Sequence, residues 1–143
     1  MAANPPPLIL VACNDPSIRT LLIQSLALEG YVVRAGGYLD EIEQLARSLR
    51  PDLILFDVTQ CGGATGWDAA VTTTCWRLCT TPETTHIPMI VLAEDLDTSP
   101  PVPRLPVRSY LGKPFDLADL FRLVAMWVGA RAETGDDAGR HMH

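Results

Sequence analysis

The strongest constraint on the fold is a set of short, wholly apolar runs separated by amphipathic stretches. Leu8–Cys13, Leu53–Phe56 and Ile87–Ala93 carry no charged side chain and show no alternation of apolar with polar residues. A strand with one wet face alternates; a run without alternation implies a strand covered on both faces. Tyr31–Ala35 and Tyr110–Gly112 complete a set of five strands.

Helical stretches lie between them. Asn14 or Asp15 can cap the first, Pro16 suits its first turn, and Gly30 stops it. Within it Ile18, Leu21, Leu22 and Leu26 lie broadly on one side. Ile42, Leu45, Ala46 and Leu49 recur at i, i+3, i+4 and i+7, the spacing of an amphipathic helix. Trp67 to about Cys79 reads as a third helix, weakened by Thr72–Thr74. Asp116 caps a last helix running from Leu117 to about Val128. Strands that alternate with helices make a parallel sheet covered on both faces. In such open sheets the functional crevice lies beyond the carboxyl ends of the strands. The residues leaving those ends are Cys13-Asn14-Asp15, Asp57, Ala93-Glu94 and Lys113.

A length of 143 residues suits one domain with one core, here divided into a leader (1–7), a globular domain (8–129) and a polar C-terminal tail (130–143). The net charge of −6 and the scattered basic residues argue against a nucleic-acid surface. The apolar runs are far too short to span a bilayer, and no basic residue precedes the first of them as a signal peptide would require, so a cytoplasmic location is expected. The four cysteines, Cys13, Cys61, Cys75 and Cys79, form no Cys-x-x-Cys pair and read as small apolar residues in or near the core.

One apolar run ends on a carboxylate, in Arg50-Pro51-Asp52-Leu53-Ile54-Leu55-Phe56-Asp57, and a glycine-rich turn follows. Burying a charge is costly unless something pairs with it. Together with Asn14–Leu22 after the first strand, His86–Ala93 as the fourth, and Tyr110–Phe115 around the fifth, this stretch resembles a response-regulator receiver domain over about Leu8–Val128. Lys113 adds to the likeness: it is the single lysine among 11 basic residues, and it stands before Pro114, where the family has its phosphate-contacting lysine.

The resemblance implies a flavodoxin-like, doubly wound five-stranded parallel sheet in the order 2-1-3-4-5. It further implies that Asp57 is the phosphoacceptor, that Lys113 holds a phosphoryl oxygen, and that a divalent ion, usually magnesium, meets Asp57, the Thr59 carbonyl and the residues after the first strand. The partners it implies are a histidine kinase or a downstream regulator in a two-component phosphorelay, and the domain is regulatory rather than enzymatic.

This chain departs from the family pattern at several places. Cys13 and Asn14 stand where the family has two acids. Removing two charges a few ångströms from a dication costs several kcal/mol even at an effective dielectric near ~20. The Asn14 amide oxygen can still ligate, whereas Cys13 is a poor ligand for a hard ion; weak magnesium binding is therefore expected. Ala93 replaces the switch hydroxyl that would couple phosphate to the aromatic position, Tyr110. Pro100, Pro101, Pro103 and Pro106 oppose a helix between the fourth and fifth strands at ~3 kcal/mol each, so the family's fourth helix is expected to be reduced or absent.

These departures favour an atypical receiver that binds a protein partner without phosphate, over a functional phospho-receiver. A small redox or flavin protein on the same fold is a remote alternative. It lacks support because Cys13–Ser17, not a Ser/Thr-rich phosphate loop, follows the first strand. Trp76, Leu123, Met126 and Trp127 widen the apolar arcs of their helices and are candidate interface residues, with a homodimer through the last helix as one outcome.

Overall fold

The computed structural model describes residues 6–13, 15–36, 39–57, 69–94, 109–113 and 115–141. Five strands, β1 (Leu8–Ala12), β2 (Val32–Gly36), β3 (Leu53–Asp57), β4 (Met89–Glu94) and β5 (Ser109–Lys113), form one sheet in the order β2-β1-β3-β4-β5. Every neighbouring pair is parallel. Four helices are present among the described residues: α1 (Pro16–Leu28), α2 (Leu39–Leu49), α3 (Ala69–Thr80) and α4 (Leu117–His141). The expected strand order and layer arrangement are those observed.

The unbroken apolar runs are explained by two cores, one on each face of the sheet. Leu10, Ala12, Ile54, Phe56, Met89 and Val91 point to the face covered by Ile42 and Ala46 of α2 and by Cys75 and Leu78 of α3. Their strand neighbours Ile9, Val11, Leu53, Leu55, Ile90 and Leu92 point to the opposite face, against Leu22 and Leu26 of α1 and Leu120, Val124 and Val128 of α4. With a side-chain period of two, the central strands must be apolar at every position. Edge strand β2 is only partly buried, and it is there that Arg34 is tolerated.

The ends of α1 follow from local chemistry. Asp15 caps its start: its carboxylate accepts from the backbone N–H of Ser17 at 2.9 Å and of Ile18 at 3.4 Å, and Pro16 occupies the first turn. At the other end the Tyr31 N–H donates to the Leu26 carbonyl and the Gly30 N–H to the Ala27 carbonyl, a Schellman closure. Gly30 has φ +97°, a conformation that glycine adopts without a Cβ clash. Leu21 differs from the expected apolar stripe. It is 43% exposed, because it lies at the margin of the arc centred on Leu22 and Leu26.

The C-terminus of α3 is closed by threonine hydroxyls. Thr80 Oγ1 donates to the Trp76 carbonyl at 2.9 Å, Thr81 Oγ1 to Arg77 at 2.7 Å, Thr84 Oγ1 to Leu78 at 2.5 Å and Thr85 Oγ1 to Cys79 at 2.6 Å. Four successive carbonyls at the helix end are thus satisfied before β4 begins, in the place where helix ends leave acceptors unpaired.

Two expectations are corrected or fall elsewhere. The last helix does not end near Val128 but continues to His141, 25 residues in all and about 37 Å long at the usual rise. Hydropathy falls after Val128, yet Ala130, Arg131, Ala132 and Glu133 are good helix formers and no proline follows them, so loss of apolar character did not stop the helix. The expectation that no full helix spans the four prolines falls on residues 95–108, which lie outside the described residues.

Candidate functional site

The carboxyl ends of β1, β3 and β5 bring the candidate residues to one edge of the sheet. Ala12 is opposite Phe56 in the β1–β3 ladder, so the next residues, Cys13 and Asp57, are direct cross-strand neighbours. Both side chains are buried, Asp57 at 0% and Cys13 at 1% exposure. Cys13 Sγ lies 3.0 Å from Asp57 Oδ2 and 3.4 Å from the Asp15 carbonyl oxygen. A thiol has one proton to donate. The nearer and charged acceptor is the carboxylate, which makes Cys13–Asp57 a charge-assisted hydrogen bond.

Lys113 closes β5. Asp57 is opposite Leu92, and Leu92 opposite Leu111. Lys113 stands two residues beyond Leu111, so its register position is on the same face of the sheet as Asp57. Ala93 is opposite Gly112 and Tyr110 opposite Val91. Asn14 and Thr59, the other two residues expected around a metal ion, lie outside the described residues, as does Cys61.

Among the described residues the donor set beside Asp57 is poor in the oxygens that a hard divalent cation takes. Magnesium and calcium sites are built from carboxylate, carbonyl and water oxygens. Here the buried position beside Asp57 is filled by a thiol within hydrogen-bonding distance of its carboxylate. Among the described residues no group of three or more His, Cys, Asp and Glu side chains could hold a metal ion. The cysteine pair on α3 behaves as read from the sequence: Cys75 is buried in the core and Cys79 packs against it.

The candidate interface residues do not form one patch. Trp76 on α3 is 49% exposed and belongs to the α2–α3 side of the sheet, whereas Met126, 50% exposed, belongs to α4 on the other side. Leu123 and Trp127 are half-buried and pack against the core beneath α4. The sequence marks Cys13 as a small residue in or near the core, as observed, and as the place of a missing acid. Its contact with Asp57 went unseen, although the signal was there: Leu8–Cys13 and Asp52–Asp57 are runs of equal length, and pairing them in register from their first residues sets their last residues side by side.

No family model matches the chain, and no curated protein sequence does. Solved structures do match. The receiver domain of a Pseudomonas aeruginosa sensor histidine kinase, determined with a magnesium ion in its active-site cleft, superposes with TM-score 0.74 at 22% identity over 87% of this chain and 98% of that one. A Chloroflexus aurantiacus chain classed as a response regulator gives TM-score 0.70 at 25% identity, over 87% and 98% of the two chains. A chemotaxis response regulator of Vibrio cholerae gives 0.69 at 20% identity, over 85% and 98%. The structural neighbours are response-regulator receiver domains, and this chain has their flavodoxin-like fold.

Proposed function

We propose that this chain, with the fold of the receiver domains of two-component signalling, works as a protein-binding regulatory module whose active surface does not depend on phosphate at Asp57. The observation that supports this reading is the Cys13 thiol at 3.0 Å from the Asp57 carboxylate, in a buried position where the family pattern has an acid. Phosphoryl transfer to a carboxylate builds charge between attacking and leaving oxygens, and a divalent ion is the usual means of neutralising it. With Cys13 and Asn14 in the acid positions, that ion is weakly held and the transfer is slow.

In this reading Asp57 is an inherited phosphoacceptor and Lys113 its cationic neighbour across the crevice. Thr59, through its carbonyl, and Asn14 are the remaining oxygen donors for a weakly bound magnesium ion. The partner is a histidine kinase or a downstream regulator. The regulatory role is not itself enzymatic, although one structural neighbour is a receiver-modulated diguanylate cyclase. No helix among the described residues is long and apolar enough to cross a membrane, and a cytoplasmic setting is the one proposed. The exposed flank of α4 around Met126 is the proposed self-association surface.

The second reading, a phospho-receiver that accepts a phosphoryl group on Asp57, is favoured by the preserved Asp57 and Lys113. Mass spectrometry after incubation with acetyl phosphate and magnesium separates the two. The first reading expects little or no gain of one phosphate. A quantitative gain that disappears in Asp57→Asn establishes the second.

A further inference from the structure

Cys13 and Asp57 are adjacent because β1 and β3 are parallel neighbours, with Ala12 opposite Phe56 one residue earlier. Whatever side chain stands at position 13 on this face therefore meets the Asp57 carboxylate. An acid there would put two like charges about 4 Å apart, a repulsion of about 4 kcal/mol at an effective dielectric of 20. Such a pair needs a cation between its members or a proton on one of them. A thiol reverses the requirement: it brings a proton to the carboxylate instead of a second charge. Asp57, at 0% exposure, obtains a hydrogen bond that asks for no ion.

We infer that the Cys13 thiol takes the place of the divalent cation beside Asp57, so that Cys13 determines the metal independence of the pocket. This deepens the reading of the chain as a receiver that works without phosphate. The bond is tied to the sheet rather than to a loop: β1 and β3 are both central strands, and the Sγ–Oδ2 contact links residues 44 apart in sequence. The second, longer approach of Sγ to the Asp15 carbonyl, at 3.4 Å, sets the thiol at the entrance to α1, where Asp15 is already engaged as the helix cap. The thiol thus lies between the phosphoacceptor position and the start of α1.

The test is a double-mutant cycle in metal-free buffer, followed by magnesium titration. Cys13→Ala is compared in the wild-type and Asp57→Ala backgrounds by chemical denaturation. Cys13→Ala is expected to lower the denaturation midpoint markedly when Asp57 is intact and much less in the Asp57→Ala background, where no acceptor remains, whereas Cys13→Ser, which keeps a donor, retains most of the stability. Equal losses in both backgrounds would overturn the inference. In the second arm, Cys13→Asp is expected to bind magnesium about tenfold more tightly than the wild type and to gain several degrees of melting temperature in millimolar magnesium, while the wild type gains far less. A wild-type shift as large as that of Cys13→Asp would overturn it equally. The cycle needs neither a phosphodonor nor a partner. A phosphorylated Asp57 would therefore refute the proposed function without touching this result, and a flat cycle would refute the thiol contact without deciding phosphorylation.

Discussion

Leu8 and Asp52 clamp each other across the amino ends of β1 and β3. The Leu8 N–H donates to Asp52 Oδ2 at 2.8 Å, and the Asp52 N–H donates to the Leu8 carbonyl at 2.7 Å. This pair starts the ladder that ends five residues later with Cys13 beside Asp57. Register in a parallel pair is otherwise held mainly by the fit of apolar side chains, and a slip of one residue would exchange the two faces of the slipped strand. Asp52 therefore does at one end of the sheet what makes the contact at the other end reproducible.

Asp52→Ala is expected to cost about 1.5–3 kcal/mol, the range for a hydrogen bond to a charged acceptor. Asp52→Asn should cost less, since the amide oxygen can still accept. Urea denaturation of the three proteins checks the order, and amide exchange should show the loss concentrated at the start of β1. Identical midpoints for Asp52→Ala and wild type would remove the clamp from the account.

At the end of α3, Thr84 is 2% exposed and its hydroxyl bonds the Leu78 carbonyl, while Thr85 is exposed and bonds the next carbonyl, Cys79. Water can replace the hydroxyl of Thr85 but not that of Thr84. Thr84→Val is expected to destabilise by about 1–2 kcal/mol and Thr85→Val by less than about 0.5 kcal/mol. Thermal melts of the two variants make the comparison. A larger effect at Thr85 would show that solvent access does not govern this cap.

Tyr31 follows the Gly30 closure of α1, and burial, with a smaller contribution from the nearby Glu29 carboxylate, pushes its phenol above the ordinary value of 10.0. The folded state thus holds the phenolic proton more tightly than the unfolded chain does. The stability linked to this proton is fully present below pH 10.0 and is lost as pH rises through the raised folded value. Tyr31→Phe should flatten the alkaline fall of stability relative to wild type. Denaturation midpoints measured on both sides of pH 10.0 would show it, and parallel curves for the two proteins would count against it.

Ala93 and Tyr110 lie on neighbouring strands, β4 and β5, but Ala93 has no hydroxyl with which to report a phosphoryl group. Beryllofluoride, a mimic of the acyl phosphate, is expected to leave the amide and ring resonances of Tyr110 unchanged. Partners would then meet a surface around β5 and the flank of α4 that does not change with phosphate. Large shifts at Tyr110 on adding beryllofluoride would restore a phosphate switch.

The sheet was legible in the sequence because hydropathy reports burial directly. Leu53–Phe56 has no polar position, so it had to be covered on both faces, and three such runs and two further strands alternating with helices leave few arrangements. The position of Asp57 at a strand exit, and of Lys113 at another, followed from the same runs. The cap at Asp15 and the stop at Gly30 were legible because their chemistry is local, complete within a few residues. Three things were decided only by the tertiary structure. The helix begun at Leu117 runs on to His141, past the end of the apolar stripe that marked it. Trp76 and Trp127 sit on opposite sides of the sheet, a consequence of which way each crossover passes. Cys13 meets Asp57 across 44 residues because two strands lie side by side in register. Hydropathy marks which residues are buried, but the partner a buried group finds depends on the strand pairing that brings distant segments together.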